Sequence, residues 1–356
     1  MSNTKIIIDL DNTITRENPD ISYEDKEPNK RIINVLNNLE IEDITIFTAR
    51  NMRSYKGDLE KINAITKPIA ESWLEKNSVK YSEIIMGKPW CGEEGFYIDD
   101  KNLSLDEFEF RFGGPYKNHS VDIIIPFYNE EGNVEKTHEN QSKLNNLFNI
   151  KTYIYVNNGS TDNTLACLNN LAKENKKIRV INLKENSGYG GGMKAGIKSS
   201  NADMVITNHA DGQFDGYSFF LTHLDSILVK DNSFNILPKR VDRNTFERLN
   251  TRILNILISI IKRKKIDDFN GQPKLFAKDQ VGDIDRYPND FTFDFELYKK
   301  LDGNFKTFPI IQKERGHGVS SWSGDLFKRL KIFIGYLKAA IKWNFIFMIR
   351  KLDQSL

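Results

Sequence analysis

The stretch VDIIIPFYNEE, residues 121–131, opens the longer half of this 356-residue chain: an apolar run that ends in a proline, two aromatics and two acids. An uninterrupted apolar run bounded by polar residues reads as a strand buried on both faces, as in a parallel sheet. After it, the strand candidates KTYIYV, IRVINL, DMVITN and FNILP alternate with helical segments up to about residue 230. Such alternation predicts a mostly parallel α/β sheet. Toward the N-terminus, KIIIDLDNTIT (5–15) starts a second pattern of the same kind. Its strand candidates are KIIIDL, ITIFTA, SEIIMG and GFYIDD, with helical pattern at 29–39 and 54–77, and the turn-rich RFGGPYKNH (111–119) closes it. Two α/β domains are expected, with no internal repeat.

Bulk properties fit that reading. The length exceeds what one core usually supports, and 39% hydrophobic with 28% charged residues is ordinary for a folded chain. A net charge of +2 argues against a nucleic-acid-coating surface. Only Cys91 and Cys167 are present, far apart and without metal-ligand spacing, which suits a reducing cytoplasm. The acidic start of the chain is not that of a signal peptide, and no apolar run is long enough to span a membrane.

In the first pattern, Asp9 and Asp11 stand where an apolar strand ends, and ligands of open α/β sheets gather at such ends. One carboxylate can attack phosphorus while the other protonates the leaving oxygen and then activates water. Later strand ends offer Thr48 (IFTAR), Lys88 (MGKPW) and Asp99–Asp100 (FYIDDK) to hold phosphate and a hard cation. A lone DxD would read better as a solvated turn. All four motifs in this order resemble the haloacid dehalogenase phosphatase superfamily, over roughly the first 110 residues. The stretch from FTARNM to FYIDDK also looks like small phosphatases associated with capsule-biosynthesis loci. The resemblance implies Asp9 as nucleophile, Asp11 as general acid/base, Thr48 and Lys88 as phosphate holders, and Mg²⁺ at Asp99 or Asp100 beside Asp9 and Asp11. Roughly 36 residues separate the first two motifs, which leaves little room for a cap domain.

In the second pattern, VDIIIPFYNEE, YVNNGSTDNT (155–164) and NSGYGGGMKAGIKSSNADMVITNHADGQFD (186–215) each follow or end a strand. They resemble family-2 inverting glycosyltransferases of the GT-A fold. DDFNGQPKLFAKD, FTFDFELYKK, FPIIQKERGHGVSSW and ILPKRVDRNTFERLNTRIL look like the polyprenyl-phosphate branch of that family, which includes dolichol-phosphate mannose synthases. The likeness spans about residues 120–345. It implies Pro126, Tyr128, Glu130, Asn157, Asn158, Asp162 and Asp211 around a nucleoside-diphosphate sugar. Mn²⁺ or Mg²⁺ is expected at Asp211 and Gln213. Arg240, Arg248 and Arg315 are expected on donor or acceptor phosphates. Two departures stand out: the usual Asp-Asp is Asn157–Asn158, and His209 replaces the first acid of DxD. His209 is either a neutral metal ligand or only a strand-end histidine. The glycines at 188–192 do not follow the first strand as a dinucleotide fingerprint would.

A hydroxyl acceptor needs a base, and Asp268 and Asp294 are the candidates; a lipid phosphate is already anionic and needs none. From Phe327 to Met348, apolar Leu330, Phe333, Ile334, Leu337, Ile341, Phe345 and Met348 share one helical face, with Lys328, Lys331, Lys338 and Lys342 on another. That pattern reads as a helix lying on anionic lipid, or as one packing on the domain. Residues 249–261 form a second candidate of the same kind. The expected organisation is a phosphatase domain over 1–112, a linker over 113–119, a glycosyltransferase domain over 120–323 and a membrane-surface helix over 324–356. The chain as a whole reads as a bifunctional cytoplasmic enzyme, peripheral on the inner face of the cell membrane. It would move sugar to a polyprenyl phosphate and hydrolyse a phosphorylated sugar intermediate. A glycan acceptor, or a noncatalytic scaffold or sensor, are the competing readings.

Overall fold

A computed structural model describes residues 4–18, 20–92, 94–97, 99, 101–228, 234–242, 255–256, 258–259, 268–301, 305–313, 315, 334–339 and 341. The chain divides into two compact units, Met1–Lys117 and Asn118–Leu356.

The first unit holds a parallel sheet in the order β1 (Ile6–Ile8), β2 (Ile44–Thr48), β3 (Glu83–Met86). Helix α1 (Lys30–Asn37) buries Ile32, Ile33, Val35 and Leu36, a spacing that gives one apolar stripe. Helix α2 (Lys67–Lys76), with a proline in its first turn, buries Ala70, Trp73 and Leu74. These side chains and the strands form one core with Leu10, Ile14 and Ile62. The expected fourth strand, GFYIDD, is not formed among the described residues of that stretch. The chain turns there with Gly92 at φ 90°, and Phe96 and Tyr97 lie exposed. Without a sheet neighbour, their apolar pattern has no face to bury.

The second unit is a seven-stranded sheet in the order β10 (Phe305–Ile311), β8 (Asn235–Asp242), β9 (Lys274–Ala277), β7 (Met204–Thr207), β4 (Ser120–Phe127), β5 (Asn149–Asn158), β6 (Ile178–Leu183). All neighbours are parallel except β9, which runs antiparallel to β7 and β8. The central strand β4 is buried on both faces, as its uninterrupted apolar run requires. Among the described residues of this unit are helices α3 (Val134–Ser142), α4 (Thr164–Glu174), α5 (Gly188–Ser199), α6 (Gly216–Thr222) and α7 (Phe293–Lys300). Strands β9 and β10 escaped the sequence reading because short runs beside Pro273 and Pro309 resemble loops.

Residues 334–339 are helical. Tyr336 is buried between Phe269, Phe291 and Phe295, and Leu337 and Ala339 pack on the same core. This part therefore docks on the domain rather than offering its whole apolar stripe to lipid, while Ile334, Lys338 and Ile341 remain exposed. Leu330, Phe333, Phe345, Met348, Lys328, Lys331 and Lys342 lie outside the described residues.

The glycine run proves to be a packing device. A Cβ on Gly190 would stand 2.3 Å from the Pro288 carbonyl oxygen and 2.8 Å from that of Asp290. One on Gly196 would meet Ile124 Cγ2 at 2.3 Å. Only hydrogen at these positions lets α5 approach the 288–290 backbone and β4 so closely. An alanine in an open helix would gain about 1 kcal/mol over glycine. Here the clash with backbone wins, and Gly190→Ala is expected to lower stability by about 1–3 kcal/mol in denaturant titration.

Candidate active sites at the two sheet edges

In the first unit, β1 ends into Asp9 and an irregular helical turn, Leu10–Ile14, that leaves the acids half-buried while burying Leu10 and Ile14. Lys88, just beyond β3, places its Nζ 3.4 Å from Asp9 Oδ1. Asp9 Oδ1 is otherwise buried without a hydrogen bond. Burial raises the pKa of Asp9 above the usual carboxylate range, against the opposing pull of Lys88. Thr48 is buried at the end of β2, its Oγ1 accepting from the Arg50 amide at 3.1 Å. The Arg50 guanidinium is buried and grips Asp11 with both forks, Nη2 to Oδ1 at 2.7 Å and Nε to Oδ2 at 3.2 Å. Tyr23 lies 4.4 Å from that guanidinium. Asp9, Asp11, Thr48 and Lys88 thus meet at one edge. Asp99 is exposed and accepts from the Lys101 amide at 2.8 Å, and Asp100 lies outside the described residues. Among the described residues no group of three or more His, Cys, Asp or Glu is placed to hold a metal ion. For this unit the fit to magnesium rests on Asp9 Oδ1, a buried oxygen with a single ionic neighbour.

In the second unit, the carboxyl ends of β4, β5 and β7 converge. Asn129 at φ 54° receives the Thr161 amide, Glu130 N–H donates to Thr164 Oγ1, and Glu131 N–H donates to Asp162. Asp162 also accepts from the Thr164 amide and hydroxyl, at 3.0 and 2.6 Å. Although burial acts the other way, these bonds bring its pKa below the usual range. Asp162 therefore zips two loops together around the site. Asn157 donates across the sheet to Asn182 at 2.8 Å. Asn158 donates to the Gly188 carbonyl at 2.9 Å and accepts from the Ser187 amide at 3.0 Å. Both amides are buried, and they staple β5 to β6 and to the start of α5 without adding charge. Pro126 lines α5 opposite Gly192, and Tyr128 is exposed at the rim.

Asp211 follows β7, its Oδ1 accepting from the Gln213 amide at 3.1 Å. Arg315 sits between acids: its Nη2 pairs with Glu130, and its Nη1 stands 3.7 Å from Asp211 Oδ2. Burial raises Glu130, with Asn133 and Arg315 pulling the other way. Lys313 N–H donates to the Gln213 carbonyl at 2.9 Å, which fixes the segment before Arg315 along the Asp211 loop. The His209 ring packs edge-on against Tyr189 and Phe214, at 5.6 and 5.8 Å between centroids. Burial lowers its pKa, which favours the neutral ring. With a carboxylate at Asp211 and an amide oxygen at Gln213, the donor set suits a hard divalent ion that takes its other ligands from a diphosphate.

Beneath this loop lies a buried ionic layer that sequence reasoning did not assemble. Arg240 Nε and Nη2 hold Asp268 Oδ2 and Oδ1 at 2.6 and 2.7 Å, and the amides of Arg240 and Asn270 donate to the same carboxylate. Burial would raise Asp268, but Arg240 outweighs it and the pKa falls below the usual range. Lys274 Nζ is 3.0 Å from Asp294 Oδ1, and Tyr189 donates to Asp294 Oδ2 at 3.0 Å. Turned so that its oxygen faces donors, the Gln272 amide takes Lys274 Nζ at 2.8 Å and gives its N–H to Thr207. Of the two carboxylates named as candidate bases, Asp268 takes four donors and Asp294 one on each oxygen, both are buried, and Arg240 is committed to Asp268. Arg248 lies outside the described residues. The one sequence signal for this layer is Lys274 itself, a lysine leading the apolar KLFA strand. Breaking a buried pair leaves a bare charge, so Lys274→Met should cost about 3–5 kcal/mol in unfolding measurements. Lys274→Met with Asp294→Asn should recover much of that loss.

Residues 122–282 match the family described as glycosyl transferase family 2. The putative glycosyltransferase CsbB of Bacillus subtilis (strain 168) is 24% identical over 217 residues, 58% of this chain and 63% of that protein. A bactoprenol glucosyl transferase of Shigella phage SfV is 22% identical over 210 residues, 57% of this chain and 67% of that protein. This chain thus spans less than two thirds of the length of the Bacillus relative. Among solved structures, glucosyl-3-phosphoglycerate synthase from Mycobacterium tuberculosis, in complex with Mn²⁺, uridine-diphosphate and phosphoglyceric acid, superposes with a TM-score of 0.50. That match covers 68% of this chain and 84% of that one at 13% identity, a likeness of fold.

Proposed function

With residues 122–282 a family-2 glycosyltransferase domain of GT-A-like α/β fold, we propose that the second unit transfers a sugar, with inversion, from a nucleoside-diphosphate sugar to a polyprenyl phosphate. The observation that carries this reading is the burial of Asp268 and Asp294 against Arg240, Lys274 and Tyr189. A glycan hydroxyl must surrender its proton during attack, and a carboxylate buried among internal cations is out of its reach. A phosphate acceptor brings its own negative oxygen. Bactoprenol glucosyl transferase, a relative named for a lipid carrier, supports the same acceptor class.

In this scheme Pro126, Glu130, Asn157, Asn158 and Asp162 shape the nucleotide pocket, with Tyr128 at its rim. Arg315 would leave Glu130 and Asp211 to meet phosphate oxygens as the donor enters. Asp211 and Gln213 would hold Mn²⁺ or Mg²⁺, which supplies positive charge to the departing diphosphate. His209 acts from behind the loop, as a neutral ring wedged between Tyr189 and Phe214. Exposed Ile256, Ile334 and Ile341, with Lys338, support attachment to an anionic membrane surface on the cytoplasmic side. Among the described residues no helix is long and apolar enough to cross a membrane. With a nucleotide-sugar panel and Mn²⁺ or Mg²⁺, product should form on polyprenyl phosphate and not on the corresponding polyprenol. Asp211→Ala should reduce turnover about 100-fold or more. Equal transfer to the phosphate and the free alcohol would defeat the acceptor assignment.

For the first unit we propose phosphomonoester hydrolysis, supported by the meeting of Asp9, Asp11, Thr48 and Lys88 at one sheet edge. Asp9 attacks phosphorus, the ester oxygen leaves with a proton from Asp11, and Asp11 then draws a proton from the water that cleaves the aspartyl-phosphate. Lys88 and Thr48 hold phosphate oxygens, and Arg50 keeps Asp11 in place. Asp9 with Asp99 or Asp100 would hold Mg²⁺, whose charge offsets that of the phosphate. Asp9 must be ionised to attack, and burial raises its pKa. Activity should therefore be lost as pH falls and Asp9 takes up a proton, in a range that Lys88 and a bound Mg²⁺ would both move downward. Para-nitrophenyl phosphate hydrolysis with Mg²⁺, followed across pH, tests this, and equal rates for the wild type and Asp9→Asn would remove the phosphatase reading.

A further inference from the structure

The loop that follows β3 carries three aromatic residues in eight positions, Trp90, Phe96 and Tyr97, and all three are exposed, at 45%, 86% and 47%. Tyr97 lies against the phosphate edge: Lys88 Nζ stands 4.2 Å from its ring centroid and 3.4 Å from Asp9 Oδ1. One ammonium thus bridges the nucleophile and the ring. The Tyr97 hydroxyl donates to the Pro89 carbonyl, which closes the loop on its own base. Trp90, next but one to Lys88, carries the Arg53 guanidinium 5.0 Å from its ring centroid. Each ring has a cation over one face and about half of its surface open to solvent.

Exposed aromatics are costly to leave in water and mark contact surfaces. Between Asp11 and Thr48 the chain forms α1 and turns, with no inserted domain to cover the nucleophile. In a site without a cap, whatever recognises the organic part of a phosphomonoester must stand beside the phosphate holders at the same edge. Tyr97, against Lys88, is in that place, and Trp90 lies two residues beyond Lys88 in the chain.

We propose that Trp90 and Tyr97 form a ring-binding subsite for the leaving group of the first unit, and that the substrate is a phosphorylated pyranose whose C–H face stacks on them. The subsite rests on the phosphatase reading above. It assigns to these residues specificity for the sugar, while Asp9, Asp11, Thr48 and Lys88 carry the phosphate chemistry common to all substrates. The choice of a sugar over a nucleobase follows from the glycosyltransferase domain on the same chain.

The test compares glucose 6-phosphate, adenosine monophosphate and the ringless glycerol 3-phosphate, using the full chain with Mg²⁺. In Trp90→Ala/Tyr97→Ala, kcat/KM for glucose 6-phosphate should fall about 10- to 100-fold, mostly through KM. For glycerol 3-phosphate, which shares only the effect of losing the Tyr97 ring beside Lys88, the loss should be at least about fivefold smaller, and Trp90→Phe/Tyr97→Phe should retain most of the sugar preference. Calorimetry on the inactive Asp9→Asn protein should show glucose 6-phosphate binding weakened more than inorganic phosphate binding when both rings are removed. Equal losses on the sugar and glycerol esters, or no loss on either, overturn the subsite while leaving the phosphatase reading intact. Preference for the adenine nucleotide overturns the sugar assignment. Absence of Asp9-dependent hydrolysis of any ester overturns the phosphatase reading, and the subsite falls with it.

Discussion

The second unit depends on a neutral layer of four buried charges, Arg240 with Asp268 and Lys274 with Asp294, set under the loop that bears Asp211. Removing four charges from water costs far more than any one contact returns, so each must be matched closely. The match here is complete for the carboxylates: Asp268 receives two guanidinium and two amide N–H groups, and Asp294 an ammonium and a phenol. Such a layer has few alternative arrangements. It ties β8, β9 and α7 to the start of α5 through Tyr189, and so fixes the ground on which the donor loop stands.

The same layer explains what the chemistry lacks. Acids in a glycosyltransferase pocket invite assignment as bases, yet these two face internal cations and serve the scaffold. At the mouth Arg315 balances two acids, Glu130 and Asp211, and in the proposed reaction it would exchange them for the phosphates of the donor. Asn157 and Asn158, where charged residues are usual, keep the pocket floor neutral and spend their amides on neighbouring backbone and side chains.

The first unit solves a similar problem at lower cost, with each acid given one cation. Asp9 keeps a distant ammonium and remains partly unsatisfied, which suits a nucleophile; Asp11 is gripped by a planar fork, which suits a group that must stay oriented. In the proposed hydrolysis the division of labour would come from the geometry of partners rather than from the acids themselves.

Much of this was legible along the chain. Apolar runs such as IIIDL and VDIIIPF specify strands locally, because a parallel strand must be apolar on both faces, and the residue at the end of each run is then at the carboxyl edge. Asp9, Asp11, Thr48 and Lys88 stand at such ends, and Glu130, Asn158 and Asp211 came from the resemblance to family-2 glycosyltransferases. Local pattern misjudged GFYIDD, whose described aromatics found no sheet, and it left open how the C-terminal helix is used, where Tyr336 in the described part is drawn into the core. What only the tertiary structure decided is which charge meets which. Arg50 finds Asp11 39 residues away, and Arg240 finds Asp268 28 residues away. An ion pair depends on distance in space, and no spacing in the sequence encodes it until the strands are in register.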